Sequence, residues 1–113
     1  MIIKVSYRQT PAINELEGVT KRDVITREDG APNFCMRVFE VEPGSSTPSH
    51  AHPWAHEVFV LSGRGVVLGN QGTIHILKNS VVFIPPDEQH CFINTGSEPL
   101  QFICAIPLQP ERQ

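Results

Sequence analysis

Short apolar runs rich in Val, Ile and Phe recur along the chain, separated by turn-forming residues such as Glu-Pro-Gly at 42–44 and Pro-Pro-Asp at 85–87. No stretch has the 3.6-residue period of an amphipathic helix, although residues 10–18 could form one short helical turn. Many short strands at regular spacing predict an all-β domain, either an antiparallel sandwich or a barrel. The predicted strands are Thr20–Thr26, Phe34–Val41, Glu57–Leu61, Gly65–Leu68, Thr73–Leu77, Ser80–Ile84, Cys91–Asn94 and Leu100–Ile106.

The two-residue period of a strand predicts which side chains face the core. Glu40 and Glu42 are expected to face water, and so is Gln101 in the last strand. The inner face then carries Cys35, Arg37, Phe39 and Val41 and, from the last strand, Phe102, Cys104 and Ile106. Arg37 is thus a cation among apolar neighbours, which either serves the interior or extends to the rim to reach water or a structural carboxylate.

The length of 113 residues suits a single domain, 1–113, that begins with an N-terminal arm over about residues 1–18. A net charge of −3 without any Lys/Arg cluster argues against a nucleic-acid partner. The apolar runs are far shorter than the roughly 20 residues of a membrane helix, and the N-terminus lacks the apolar core of a signal peptide. We therefore expect a cytoplasmic protein without a membrane partner.

Cys35, Cys91 and Cys104 are widely spaced, odd in number and without a Cys-x-x-Cys pair. This spacing argues against a disulfide framework and against a zinc knuckle. Each cysteine is expected to be a small buried apolar side chain. Trp54 is likewise expected to pack or to form an interface rather than to hold a substrate.

Three of the five histidines, His50, His52 and His56, lie within seven positions, directly before an apolar run. They share parity, so an extended chain projects them to one side, unless the intervening Pro-Trp interrupts the pleat. Imidazole suits Mn, Fe, Ni, Cu and Zn, and His90, after a proline turn, is the candidate fourth ligand. The alternative is a polar loop with incidental histidines. His75 stands alone in mid-strand and is expected at the surface.

Two segments carry ordered patterns of glycine, histidine and proline. Residues 44–63 have the order Gly, five residues, His-Ala-His, three residues, His, six residues and Gly. Residues 79–94 have the order Asn, five residues, Pro-Pro-Asp, two residues, His, three residues and Asn. These patterns resemble the first and second motifs of the cupin superfamily. Asn79 and Asp87 stand where the motif has Gly, and both residue types tolerate a left-handed backbone.

The first motif usually has a Glu where this sequence has His56, and Glu57 is the rival for that position. Parity and the distance to Gly63 favour His56. With that choice the sequence resembles the small single-domain bacterial cupins that hold manganese with four histidines. The resemblance implies a jelly-roll β-barrel of two antiparallel sheets, usually a homodimer. It also implies one divalent metal ion, Mn(II) first and otherwise Fe(II), Ni(II), Cu(II) or Zn(II), held by His50, His52, His56 and His90.

The resemblance also implies a small-molecule site beside the metal, lined by Arg37, Phe102, Cys104 and Ile106. Val58 is a further candidate for the apolar part of this pocket. Four neutral ligands without a thiolate disfavour structural zinc and leave the full charge on the ion, which makes it a stronger Lewis acid. Cys104 is expected to fill space behind the ligands rather than to coordinate.

Three functions are compatible with such a site. The first is a Mn- or Fe-dependent, dioxygenase-like oxidoreductase in which Arg37 attracts a carboxylate or stabilises an oxyanion. The second is a redox-neutral isomerase or lyase, against which we count the lack of a clearly placed Glu, Asp or Lys in the cavity. The third is a non-catalytic binding or sensing module, against which we count the lack of a helix-turn-helix output segment.

Overall fold

The computed structural model describes residues 1–109, which form nine strands and two single-turn 3-10 helices. The helices are Tyr7–Gln9 and Arg27–Asp29. The strands are β1 (Ile13–Leu16), β2 (Val19–Ile25), β3 (Phe34–Val41), β4 (His56–Ser62), β5 (Arg64–Gly69), β6 (Gly72–Leu77), β7 (Val81–Ile84), β8 (Cys91–Asn94) and β9 (Leu100–Pro107). The eight predicted strands all occur, each within one residue of its predicted ends. The all-β prediction is confirmed.

The strands form two antiparallel sheets, a six-stranded one in the order β1-β2-β3-β9-β4-β7 and a three-stranded one in the order β6-β5-β8. Consecutive strands often belong to different sheets, so the chain passes repeatedly from one sheet to the other. The apolar faces meet in a core whose most buried side chains include Val60, Leu100 and Phe102. The arrangement is the expected jelly-roll barrel.

The prediction of a helical turn in residues 10–18 is wrong. Ile13–Leu16 is strand β1, which pairs with β2 through a two-residue turn at Glu17 and Gly18. Gly18 has a φ of 79°, the left-handed conformation that such tight turns require. The local helical tendency is outweighed because strand pairing satisfies the backbone groups of both segments.

Glu40 lies on the outer face of β3, but it does not face water as predicted. Its side chain is only 16% exposed because the N-terminal segment covers it. Tyr7 and Arg8 both donate hydrogen bonds to Glu40 Oε1, over 3.3 Å in each case. The Gln101 amide donates to the other carboxylate oxygen over 3.1 Å. The outer face of this strand is thus partly covered by a segment that leaves no periodic signal in the sequence.

The two non-glycine turn positions of the second motif have the backbone that was predicted for them. Asn79 has a φ of 76° and Asp87 a φ of 69°, so both occupy the left-handed region. At Gly63, with a φ of 83°, an added Cβ would collide with the carbonyl oxygen of Pro99. This turn therefore requires glycine for space as well as for conformation.

The three cysteines and two residues predicted at the surface can be compared directly with the structure. All three cysteines are free, with Cys91 and Cys104 buried and Cys35 half-buried. Glu42 and His75 are exposed. Across residues 1–109, no helix has the length and hydropathy needed to cross a membrane.

Candidate functional site

A cavity of about 270 Å³ opens at the wall of the barrel and is lined by all four histidines of the predicted ligand set. Three aromatic side chains, Phe39, Phe92 and Phe102, form part of the same lining. The volume lies below the range of about 300–1,000 Å³ typical of sites for drug-sized ligands, so the cavity suits a small molecule.

Backbone pairing between distant segments brings His50 and His90 together. The two residues form an isolated antiparallel bridge in which each backbone N–H donates to the other's carbonyl oxygen, over 3.0 Å and 2.9 Å. His50 belongs to the first motif, and His90 directly precedes β8. The bridge therefore places one imidazole from each motif side by side.

His52 and His56 reach the cavity from different kinds of backbone. His56 is the first residue of β4, whereas His52 lies in the irregular segment before that strand. The His52 carbonyl accepts a 2.6 Å hydrogen bond from Asp87 N–H, which ties the first motif to the turn of the second. Trp54 stacks on the His52 ring with a centroid separation of 4.6 Å. Trp54 thus packs against a predicted ligand, as a positioning residue would.

The structure separates His56 from its rival Glu57. His56 is 5% exposed and lines the cavity. Glu57 is exposed on the opposite face of β4, where it is paired in register with Ala105 of β9 and Phe83 of β7. Its side chain is directed away from the cavity because consecutive residues of a strand alternate between its faces.

The spacing of the four rings suits a common ion. Ring centroids are 5.1 Å apart for His50 and His52, 5.4 Å for His52 and His56, and 4.7 Å for His56 and His90. Two imidazoles bound at right angles through nitrogens about 2.1 Å from one ion have ring centres roughly 4.6 Å apart. The four neighbouring rings are therefore at about the distance that shared coordination requires.

The four rings are close together but are not arranged as a metal site. Within residues 1–109, no group of three or more His, Cys, Asp or Glu side chains is placed to hold a metal ion. The donor set and the spacing of neighbouring rings fit a divalent ion, whereas the positions of the donor atoms do not.

Hydrogen bonds and unpaired ring nitrogens show which histidine atoms are free to bind. The Nδ1 atom of His90 lies 2.9 Å from the carbonyl oxygen of Glu88. Since a carbonyl only accepts, Nδ1 carries the proton of the neutral ring and Nε2 keeps its lone pair. In His52 and His56, Nδ1 is buried without a hydrogen-bond partner in the described chain. Such orphaned polar atoms are costly in a core and frequent at binding sites.

Besides the histidines, the cavity lining is largely aromatic and contains the Arg37 cation. Phe102 stacks on Phe39 with a centroid separation of 5.1 Å and on Phe92 with one of 4.4 Å. The Arg37 guanidinium lies 5.1 Å from the Phe39 ring centre and donates a 3.1 Å hydrogen bond to Cys104 Sγ. Burial raises the pKa of Cys104, with Arg37 opposing this effect. In the metal-free protein the thiol therefore stays protonated at neutral pH.

Comparison with known proteins identifies the family. The family model of the cupin domain matches residues 37–106. The chain belongs to the cupin family. The matched region contains the four cavity histidines together with Arg37 and Cys104.

Similar proteins share the fold and are diverse in their functions. An uncharacterised protein of Methanocaldococcus jannaschii is 31% identical over 76% of this chain and 74% of its own length. A 1-methylthio-D-xylulose 5-phosphate methylsulfurylase of Rhodospirillum rubrum is 30% identical over 68% of this chain, but only 49% of its own length is covered. The solved structure of the polyketide cyclase RemF of Streptomyces resistomycificus has a TM-score of 0.86 and 32% identity, covering 96% of this chain and 81% of that one.

The cupin cavity contains some but not all of the pocket residues that the sequence proposed. Arg37, Phe102 and Cys104 line it. Val58 and Ile106 are instead packed in the hydrophobic core, 2% and 9% exposed, and are not among the lining side chains.

Two charged residues of the cavity are not among those predicted from the sequence. Glu15 of β1 and Lys21 of β2 line it and form a 3.1 Å ion pair. Glu15 lies in residues 10–18, where a helical turn was expected, and Lys21 lies in a predicted strand whose polar run Thr-Lys-Arg-Asp does not alternate with apolar residues. The local signal for the hairpin that joins them is Gly18, a turn-forming residue between the two segments.

The titration of His56 predicts how the stability of the metal-free cupin depends on pH. Burial, followed by the charges of His90 and Arg37, lowers the pKa of His56 from 6.5 to about 4. Burial lowers the pKa of His52 in the same direction. The unfolded chain therefore binds more protons than the fold between these pH values, so the free energy of unfolding falls as the pH drops from 6.5 to 4.

We expect this loss to be at most about 3 kcal/mol, because the cavity admits water. Urea unfolding in the presence of EDTA, compared at pH 7 and pH 4.5, measures it. His56→Gln keeps a polar side chain that does not titrate, so the free energy of unfolding of this variant should depend less on pH. A variant profile as steep as that of the wild type would contradict the assignment to His56.

Proposed function

We propose that this cupin is a mononuclear metal-dependent enzyme that oxidises a small organic substrate, with Mn(II) or Fe(II) as the metal and dioxygen or a peroxide as the oxidant. The supporting observation is that four imidazoles share one cavity with three phenylalanine rings and a guanidinium. His50, His52, His56 and His90 would hold the ion. A bound ion would supply Lewis acidity and, as Mn or Fe, accessible oxidation states.

The aromatic residues and Arg37 in the same lining would bind and orient the substrate. Phe39, Phe92 and Phe102 provide flat apolar surface and exclude water from that side of the cavity. The Arg37 guanidinium would attract a carboxylate or stabilise developing negative charge. Its hydrogen bond to Cys104 keeps the guanidinium against the wall of the cavity.

A redox-neutral reaction is the second candidate, favoured by two observations. The lack of a clearly placed Glu, Asp or Lys in the cavity counted against an isomerase or lyase in the sequence. Glu15 and Lys21 line the cavity and supply such acid–base groups. The chain is also 32% identical to a protein named as a polyketide cyclase, over 96% of its length. In this alternative Glu15 is the candidate base for proton removal next to a carbonyl group.

Metal analysis and oxygen uptake test the first candidate. Protein purified without chelators and without a metal-affinity column is expected to carry about one divalent ion per chain. After anaerobic loading with Mn(II) or Fe(II), we expect oxygen or peroxide consumption with members of a panel of small diketones and carboxylic acids. Substrate conversion without oxidant consumption would favour the redox-neutral reaction, and no conversion with any metal would favour a binding module.

The homodimer implied by the family resemblance stays a prediction. Phe59, Val81 and Phe83 are exposed on the outer face of β4 and β7 and provide an apolar surface that a second copy could cover. Sedimentation equilibrium at micromolar concentration measures the association directly, and a monomer there would contradict the prediction.

A further inference from the structure

The hairpin of β1 and β2 adds an ion pair to the cavity at the side where it meets solvent. Glu15 Oε1 lies 3.1 Å from Lys21 Nζ, and the two side chains are 31% and 19% exposed. Asp23 Oδ1 lies 3.6 Å from the same Nζ. Lys21 thus has two carboxylate neighbours, of which Glu15 shares the cavity lining.

A second cation follows on the adjacent strand. Lys21 is paired in register with Phe39, and Arg37 lies two residues from Phe39 on the same face of β3. The hydrogen bond of the guanidinium goes to the Cys104 thiol, and its Nε atom is buried without a partner. No carboxylate within residues 1–109 forms an ion pair with Arg37. A thiol is a weak acceptor, so this cation has capacity for an anion.

Flat apolar surface adjoins both cations, since Lys21 is paired in register with Phe39 and the Arg37 guanidinium lies over the Phe39 ring. Phe39 stacks on Phe102 at an interplanar angle of 14°, and Phe102 stacks on Phe92 at 26°. Lys21 and Arg37 therefore both lie beside an aromatic wall of the cavity. Such a wall favours the flat face of a conjugated molecule, while the cations favour a negative charge at its edge.

We propose that Lys21 and Arg37 bind the carboxylate of a small planar organic acid, and that this carboxylate replaces Glu15 on Lys21. The inference deepens the proposed function because it names the substrate class of the same cavity. Glu15 is replaceable because a partly exposed ion pair contributes little to stability. Asp23 keeps the lysine in place after the exchange. When substrate is absent, the Glu15 carboxylate occupies the position on Lys21 that the substrate carboxylate would take.

Benzoate binding to the metal-free protein tests this proposal without relying on activity. Calorimetry or amide chemical shifts in the presence of EDTA measure the dissociation constant, with benzamide as the neutral analogue of the same shape. We expect benzoate to bind at least about tenfold more tightly than benzamide. Lys21→Met should weaken benzoate binding about tenfold, whereas Lys21→Arg should retain most of it.

Glu15→Gln should change benzoate affinity in the opposite direction to Lys21→Met. A merely structural role of Glu15 would not produce this increase in affinity. Removing the competing carboxylate should tighten benzoate binding by about threefold or more. Lys78→Met, at an exposed turn, is the matched control for Lys21→Met and should leave benzoate affinity unchanged. Equal affinities for benzoate and benzamide, a Lys21→Met variant that binds like Lys78→Met, or a Glu15→Gln variant that binds more weakly would each overturn the proposal.

These outcomes are distinguishable from a failure of the proposed function. A chain that binds benzoate through Lys21 but binds no metal would refute the metal-dependent activity and leave the carboxylate site standing. Metal-dependent conversion together with benzoate binding that is insensitive to Lys21 and Glu15 would refute the carboxylate site alone.

Discussion

Alanine in place of any one of His50, His52, His56 or His90 is expected to lower Mn(II) affinity by more than about 100-fold. Loss of a hydrogen bond that supports a metal ligand already lowers metal affinity about 10- to 100-fold, and loss of the ligand itself should cost more. Each imidazole lines the cavity, and removing one would leave the ion with one protein ligand fewer. Titration of the chelator-treated variants with Mn(II), followed by equilibrium dialysis and metal analysis, measures the change.

Glu57→Ala is the matched control for His56→Ala. The two residues are adjacent in β4 but lie on opposite faces, one buried at the cavity and one exposed outside. Mn(II) affinity should therefore be unchanged in Glu57→Ala. If Glu57→Ala abolishes binding while His56→Ala retains it, the ligand assignment is wrong. Circular dichroism of each metal-free variant separates lost ligation from lost folding.

Replacing Asn94 with alanine is expected to lower the free energy of unfolding by about 3–4 kcal/mol. This residue, the last of the second motif, is 1% exposed at the end of β8. Its amide donates to the carbonyl oxygens of Val41 and Glu98, and its Oδ1 accepts from Gly96 N–H, each over 2.8 Å. Alanine leaves these three backbone groups without their partner, and unsatisfied buried groups are costly.

Thermal and urea unfolding measure this effect, with a fall in Tm of roughly 15–25 °C for a domain of this size. Asn70→Ala at the exposed turn between β5 and β6 should change the free energy of unfolding by less than about 0.5 kcal/mol. Since Asn94 does not line the cavity, the folded Asn94→Ala protein should bind Mn(II) as the wild type does. Unchanged stability, or lost metal binding in the folded variant, would contradict this structural role.

The alternation of apolar and polar residues predicted most of the strands and their faces because it is a local property. Arg37, Phe39, Phe102 and Cys104 all face inward as the two-residue period required. Glu40 shows that strand alternation predicts the direction of a side chain but not its exposure to water. It points outward as predicted, but Tyr7 and Arg8 cover it because a distant segment with no periodicity packs over that face.

The histidine cluster was visible in the sequence, but the reason for its assembly was not. Only His56 lies in a regular strand, so parity alone does not account for the positions of His50 and His52. Backbone hydrogen bonds from His50 to His90, and from Asp87 to His52, join the two motifs. Those bonds depend on the closure of the barrel, which no window of local sequence encodes.

The sequence by itself determined the all-β class, the strand faces, the turn positions at Asn79 and Asp87 and the types of side chain offered to the cavity, because each depends on residue type and near neighbours. Only the tertiary structure decided that Glu15 and Lys21 border the same cavity, that Val58 and Ile106 pack in the core instead, and how the rings are oriented. Long-range strand pairing settles these features, since it brings together residues whose separation along the chain carries no periodic signal.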